Sequence, residues 1–200
     1  MLEAYDISVK KLIGIFANKI PVVGLQNDDN TENSESVMTR SETAPGSGIS
    51  SFPVISVFRG PEINITDGSI TKRSSTYQGY SVKTPRGLAH LVAMRGNLHY
   101  TVDVFDTTRA SAEKIALQLY FRLRNNPQID VKFDFKDFEY QAECSADIQM
   151  EEDISHQKVN SASSAQVYKI RIGFTLSNVN LYDLIGDTQT GRTTQKKIIY

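Results

Sequence analysis

The chain has 200 residues, 40% of them hydrophobic and 22% charged, with a formal net charge of −1. Such values belong to one globular domain or a domain with appendages, and they exclude bulk attraction to nucleic acid or anionic lipid. The lone cysteine, Cys144, excludes an intrachain disulfide and a multi-cysteine metal site, and it fits a reducing compartment.

Over residues 2–20, Tyr5, Val9, Leu12, Phe16 and Ile20 recur on one stripe, with Ile13 beside it. This spacing predicts a core helix that Pro21 stops. The opening MLEAYDISVKK lacks the basic start and apolar run of a secretion leader, and no stretch approaches the roughly 20 apolar residues of a membrane span. The expectation is a soluble protein, intracellular when made and with no membrane partner. Residues 26–51 are nearly devoid of apolar side chains and close on Pro45-Gly46-Ser47-Gly48. They read as a flexible polar arm, of a kind that orders on contact with a partner. Pro53–Arg59 is strand-like, Gly60-Pro61 breaks it, Ile63–Thr66 alternates again, and Asp67-Gly68 is a hairpin signal. Residues 70–87 read as a long β-arm ending in the turn Thr84-Pro85-Arg86-Gly87, and Leu88–Arg95 reads as a strand joined to the next by a tight Gly96-Asn97 hairpin.

The stretch from Leu98 to Asn126 organises the rest. Leu98, Tyr100, Val102 and Val104 alternate with polar residues, the two-residue period of a strand with one buried face. The period then changes: Ala112, Ile115, Ala116, Leu119 and Leu123 form a helical stripe. Asp106, Thr107 or Thr108 can cap its start, and Asn125-Asn126-Pro127 ends it. Further on, Val131, Phe133 and Phe135 alternate, the pattern slips at Asp137, and it resumes as Phe138, Tyr140, Ala142 and Cys144, which predicts a β-bulge. Residues 145–166 are polar and read as a long loop. Tyr168, Ile170, Ile172, Phe174 and Leu176 make a clean strand, and 184–200 read as a mobile C-terminal tail.

The expected fold class is therefore α+β: an antiparallel or mixed β-sheet packed by two helices, with extended loops or β-arms. Residues 1–25 supply the N-terminal helix of the core and 26–51 the polar arm. Residues 52–183 form a single domain carrying the 70–87 arm and the 145–166 loop, and 184–200 form the tail.

No constellation specifies chemistry. A 96–97 hairpin would set His90 opposite Asp103, the start of a base-and-orienter pair, but no nucleophile motif accompanies it. His90, His99 and His156 lack metal-ligand spacing. Glu151-Glu152-Asp153 could bind a cation, although a charged loop is the commoner case. Gly46-Ser47-Gly48 has neither a strand before it nor a helix after it, so it is no phosphate loop. The expectation is a protein that is not an enzyme and has no cofactor or metal. Charge is uneven: Arg59 to Arg95 carries six basic residues against two acidic, and Asp134 to Asp153 eight acidic against one basic. Arg59, Lys72, Arg73, Lys83 and Arg86 on one side, and Glu143, Asp147, Glu151, Glu152 and Asp153 on the other, are thus subunit-interface candidates. Two independently solvated faces are the alternative.

The order helix, polar arm, strands, VDVFD strand, helix, strand, loop, strand is similar to that of the tail-terminator (tail-completion, neck) proteins of tailed bacteriophages. The similarity is carried by PVISVFRG at 53–60, YTVDVFDTTRASAEKIALQLYFRL at 100–123 and VYKIRIGFTL at 167–176. The long arms at 26–51 and 70–87 depart from the pattern. The resemblance implies a structural virion protein in the tail or neck, made in the bacterial host cytoplasm. It further implies a ring of six copies that ends the tail tube and meets the head-completion or connector proteins. Tail tube protein, and sheath protein in a contractile tail, would be its neighbours, and DNA would pass through the lumen without specific binding. A sheath-capping or baseplate component remains open, as do a small intracellular ligand-binding domain or enzyme built on His90 and Asp103, and a nucleic-acid module using Lys72, Arg73, Lys83 and Arg86.

Overall fold

A computed structural model of the protein describes residues 2–25, 52–65, 78–160 and 166–186. The chain runs α1 (Leu2–Ala17), β1 (Val22–Gly24), β2 (Val54–Ile65), β3 (Gln78–Thr84), β4 (Gly87–Asp106), α2 (Arg109–Asn125), β5 (Gln128–Phe135), a 3-10 turn (Lys136–Phe138), β6 (Tyr140–Asn160) and β7 (Gln166–Gly186). The strands form one sheet in the order β1-β2-β4-β7-β6-β5, and β3 adds to β4. Among the described residues only β1 and β2 pair in parallel. Both helices share one apolar core with one face of this mixed sheet, so the fold is α+β.

The long strands place alternate residues on opposite faces. Leu98, Tyr100, Val102 and Val104 of β4 meet Ile170, Ile172, Phe174 and Leu176 of β7 in the core. Against them lies α2, where Ala112 and Ala116 let the helix approach closely and Leu119 and Leu123 fill the space behind. Each large buried side chain contributes about 1.5–3 kcal/mol of transfer free energy. Thr108 Oγ1 caps α2 by accepting from the Ser111 N–H at 3.4 Å, and Asn126 closes its end with a bond to the Leu123 carbonyl at 3.1 Å.

In α1 the buried stripe is Tyr5, Val9, Ile13 and Ala17, with Leu12 and Phe16 only partly covered. It tracks the four-residue spacing more strictly than the sequence pattern indicates. The helix stops at Ala17, before Pro21, because Asn18 and Lys19 take left-handed conformations. Two buried contacts tie α1 to the sheet. Tyr5 OH donates to the Asn180 carbonyl at 2.8 Å and accepts from the Asn180 N–H at 2.9 Å. Its ring stands edge-on to Phe133, and its oxygen lies 3.3 Å from Cys144 Sγ. Burial pushes the Tyr5 phenol and the Cys144 thiol above their ordinary ranges. At the next residue, Asp6 accepts from Tyr100 OH at 2.8 Å and from Arg59 Nη1 at 2.6 Å. Burial raises the Asp6 carboxyl, and the Tyr100 and Arg59 bonds oppose that rise.

Several boundaries differ from the sequence reading. Gly96-Asn97 is not a hairpin: β4 is one continuous strand in which Gly96 and Asn97 pair with Ile65 and Asn64 of β2. The apolar residues change phase there because both β4 and β7 slip register, between Gly96 and Leu98 on one and between Leu176 and Val179 on the other. Asn178 takes a left-handed conformation at that slip. Gly60-Pro61 likewise does not end β2, which continues past them through an irregularity. The slip at Asp137 is a reversal, not a bulge: the 3-10 turn and left-handed Glu139 fold β6 back on β5. The 145–166 segment is strand β6 up to Asn160. It reads as polar because β5 reaches only to Asp147 on β6, so the rest of the strand is an edge that needs no two-sided apolar pattern. The 70–87 arm is, over 78–84, strand β3 paired with β4, and the Thr84–Gly87 turn joins the two as expected. Strand β7 runs on through 184–186, residues assigned to the tail. The 26–51 arm, the Asp67-Gly68 turn and the tail beyond 186 lie outside the described residues.

Gly24 shows how tightly β1 is fitted. Its φ is +92°, and a Cβ there would lie 2.1 Å from the Val57 carbonyl oxygen, so only glycine allows this parallel pairing.

Candidate interaction surface

Neither helix covers the second face of the sheet. It displays His99, Thr101 and Asp103 of β4 beside Arg171, Gly173 and Thr175 of β7. Arg171 grips Asp103 with two bonds, Nε to Oδ1 at 2.7 Å and a terminal nitrogen to Oδ2 at 2.8 Å. Its guanidinium also stands 5.4 Å from the centre of the Phe58 ring. Fork-to-fork geometry and the aromatic underside fix this arginine in one pose. A small apolar cluster of Val54, Phe105 and Val167 closes the same face at one end.

Strand irregularities converge on His99. In β2, Gly60, Pro61 and Glu62 stand against it where the register shifts between Arg59 and Ile63. In β6, Glu151, Glu152 and Asp153 bulge against Gly173, between Met150 and Ile154. Bulges bend strands and re-aim side chains, and here they open a cavity of about 440 Å³ bordered by Pro61, Glu62, Asn97, His99 and Thr175. Glu151 Oε1 lies 3.0 Å from His99 Nδ1. The carboxylate reaches it by crossing Gly173, where a Cβ would stand 1.8 Å from Glu151 Oε2. Gly173→Ala is therefore expected to push Glu151 off His99, seen as a displaced His99 ring signal by NMR. The pair is half exposed, so unfolding free energy should change by only about 0.5 kcal/mol. An unmoved His99 signal would refute the contact. Sequence reasoning missed this pair, although a glycine inside the apolar 167–176 strand is a signal of close approach.

No family model and no curated protein matches this chain.

The candidate charges are largely engaged within their own chain. Arg59 is held by Asp6, Glu143 by Lys132 at 2.7 Å and Glu151 by His99. Asp147 accepts from Asn178 at 2.6 Å and Gln128 at 3.3 Å. The contact between the basic and acidic tracts that the structure contains is internal, Arg86 to Glu139 at 3.7 Å across the β3–β4 turn and the 3-10 turn. Lys83, Glu152 and Asp153 stand exposed, and Lys72 and Arg73 lie outside the described residues. His90 and Asp103 are not cross-strand neighbours. They sit thirteen residues apart on the single strand β4, about 40 Å along an extended chain, and Asp103 belongs to Arg171. Among the described residues no group of three His, Cys, Asp or Glu side chains is placed to hold a metal ion.

Proposed function

We propose that the protein is a structural component of a phage tail, forming a ring that terminates the tail tube and joins it to the neck. The observation that carries this reading is the two-sided sheet. One face makes the core with both helices, while the other has no helix packed on it and is stiffened by Arg171–Asp103 and His99–Glu151. A rigid sheet face without a helical cover, beside a β5 edge that is unpaired among the described residues, suits contact with neighbouring subunits better than enclosure of a substrate. The segment order that resembles tail terminators agrees with the α+β architecture. In a ring of six, exposed Glu152 and Asp153 would face a lumen, where like charge lets DNA slide without phosphate contacts.

The test is the mass of the purified protein by light scattering, with negative-stain images of the same fraction, before and after adding tail tubes. Rings are expected, or a smaller species that becomes a ring on the tubes. A species that stays ringless with tubes present would overturn the proposal.

A further inference from the structure

The free edge of β5 pairs with nothing among the described residues, and a groove of about 810 Å³ runs along it. The groove's other wall is α1, which presents Ile7 and Ile15 to it, 47% and 64% exposed. Exposed isoleucines beside an open strand edge mark a surface that gains from being covered.

The charged outward side chains of β5 are Asp130, Lys132 and Asp134, while Ile129, Val131 and Phe133 point into the core. Charges on an edge strand ordinarily discourage pairing. This edge differs because its signs alternate at every second residue. A strand whose central pair reads plus, minus about Phe133 is its own complement when a second copy runs antiparallel to it. With a twofold axis at Phe133, Lys132 faces the second copy's Asp134, a contact that occurs twice. A parallel pairing in register would oppose like charges at every position, so the pattern selects the antiparallel one. Because paired residues keep the same parity, core-facing and outward positions stay on their own sides of the enlarged sheet. Lys132 also reaches Glu143 on β6, and at 75% side-chain exposure it has room for a second carboxylate.

We propose that the β5 edge is a self-recognition surface, joining two copies antiparallel about Phe133 through Lys132 and Asp134. The inference does not rest on the tail reading, since an isologous contact closes on two copies whereas a ring needs head-to-tail contacts.

Light scattering and sedimentation of the full chain over a range of concentrations test it with two charge reversals. Lys132→Asp sets two aspartates against each other, and Asp134→Lys sets two lysines. Each variant alone is expected to lose at least about tenfold in association, halving the mass of the particle at concentrations where the unsubstituted chain is paired. Mixed in equal amounts, they restore opposite charges at every position and recover the doubled mass. An unsubstituted chain that does not pair at any concentration, single variants that pair as it does, or a mixture that fails to recover would each overturn the proposal. Recovery on mixing also rules out misfolding as the cause of the single-variant loss.

Discussion

Arg59→Ala is expected to lower the unfolding free energy by about 2–3 kcal/mol at pH 7.5 and by clearly less at pH 4.5. Asp6 is a buried residue of α1, and its carboxylate is met by Arg59 and Tyr100. Burial already lifts the Asp6 carboxyl above its ordinary value, with Arg59 among the groups that oppose the rise. In the window between the ordinary carboxyl pKa and the raised one, the unfolded chain has released its proton while the folded chain still holds it. Stability from this group is therefore fully present below the window and lost as pH rises through it. Without Arg59 the folded pKa climbs further, so the loss deepens toward neutral pH. Denaturant titrations of both proteins at the two pH values measure the effect. An equal loss at both would mean that Arg59 acts through the packing of its stem and not through Asp6.

The second large effect is at Tyr5. Its truncation to alanine should cost about 3–5 kcal/mol, the range for emptying an aromatic site in a core. Its ring packs on Phe133, which in turn meets Tyr182. Tyr5→Phe keeps the ring but strands the Asn180 N–H and carbonyl that the hydroxyl satisfies. That variant should lose about 1–3 kcal/mol. Chemical denaturation of the two side by side separates packing from hydrogen bonding. Equal losses would show that the hydroxyl, not the ring, holds α1 in place.

The α+β class was readable because its strongest elements have uninterrupted periods. Leu98 to Val104, the α2 stripe and Tyr168 to Leu176 each keep one period long enough to exclude the other. What failed was local punctuation inside longer strands. Gly96-Asn97 carries the chemistry of a hairpin turn, and nothing nearby separates a turn from a slip in register. The decisive fact is remote: β7 changes phase at the same level, after Leu176, so the two slips match across a continuous ladder. Two sequence stretches with phase changes at matching depth are a signal, but it emerges only once the strands are known to be partners. The polar half of β6 failed for another reason: Met150 and Ile154 pack on the core, but the bulge of three acidic residues between them breaks the alternation. The charged tracts illustrate a third limit. Composition located them, but it could not tell that Asp6 and Glu139 of the same chain would take up Arg59 and Arg86.

The bond between Tyr5 and Asn180 spans 175 positions, which has a consequence for biosynthesis. At about 5–20 residues per second, α1 leaves the ribosome roughly 10–35 s before the residue that satisfies it. Throughout that interval its stripe of Tyr5, Val9 and Ile13 has no β7 to bury against. The nascent chain therefore needs either a chaperone over its first turns or a provisional partner among the strands already made. Codon or temperature changes that slow elongation should lower the soluble yield of this protein more than they lower that of a fold closed by local contacts.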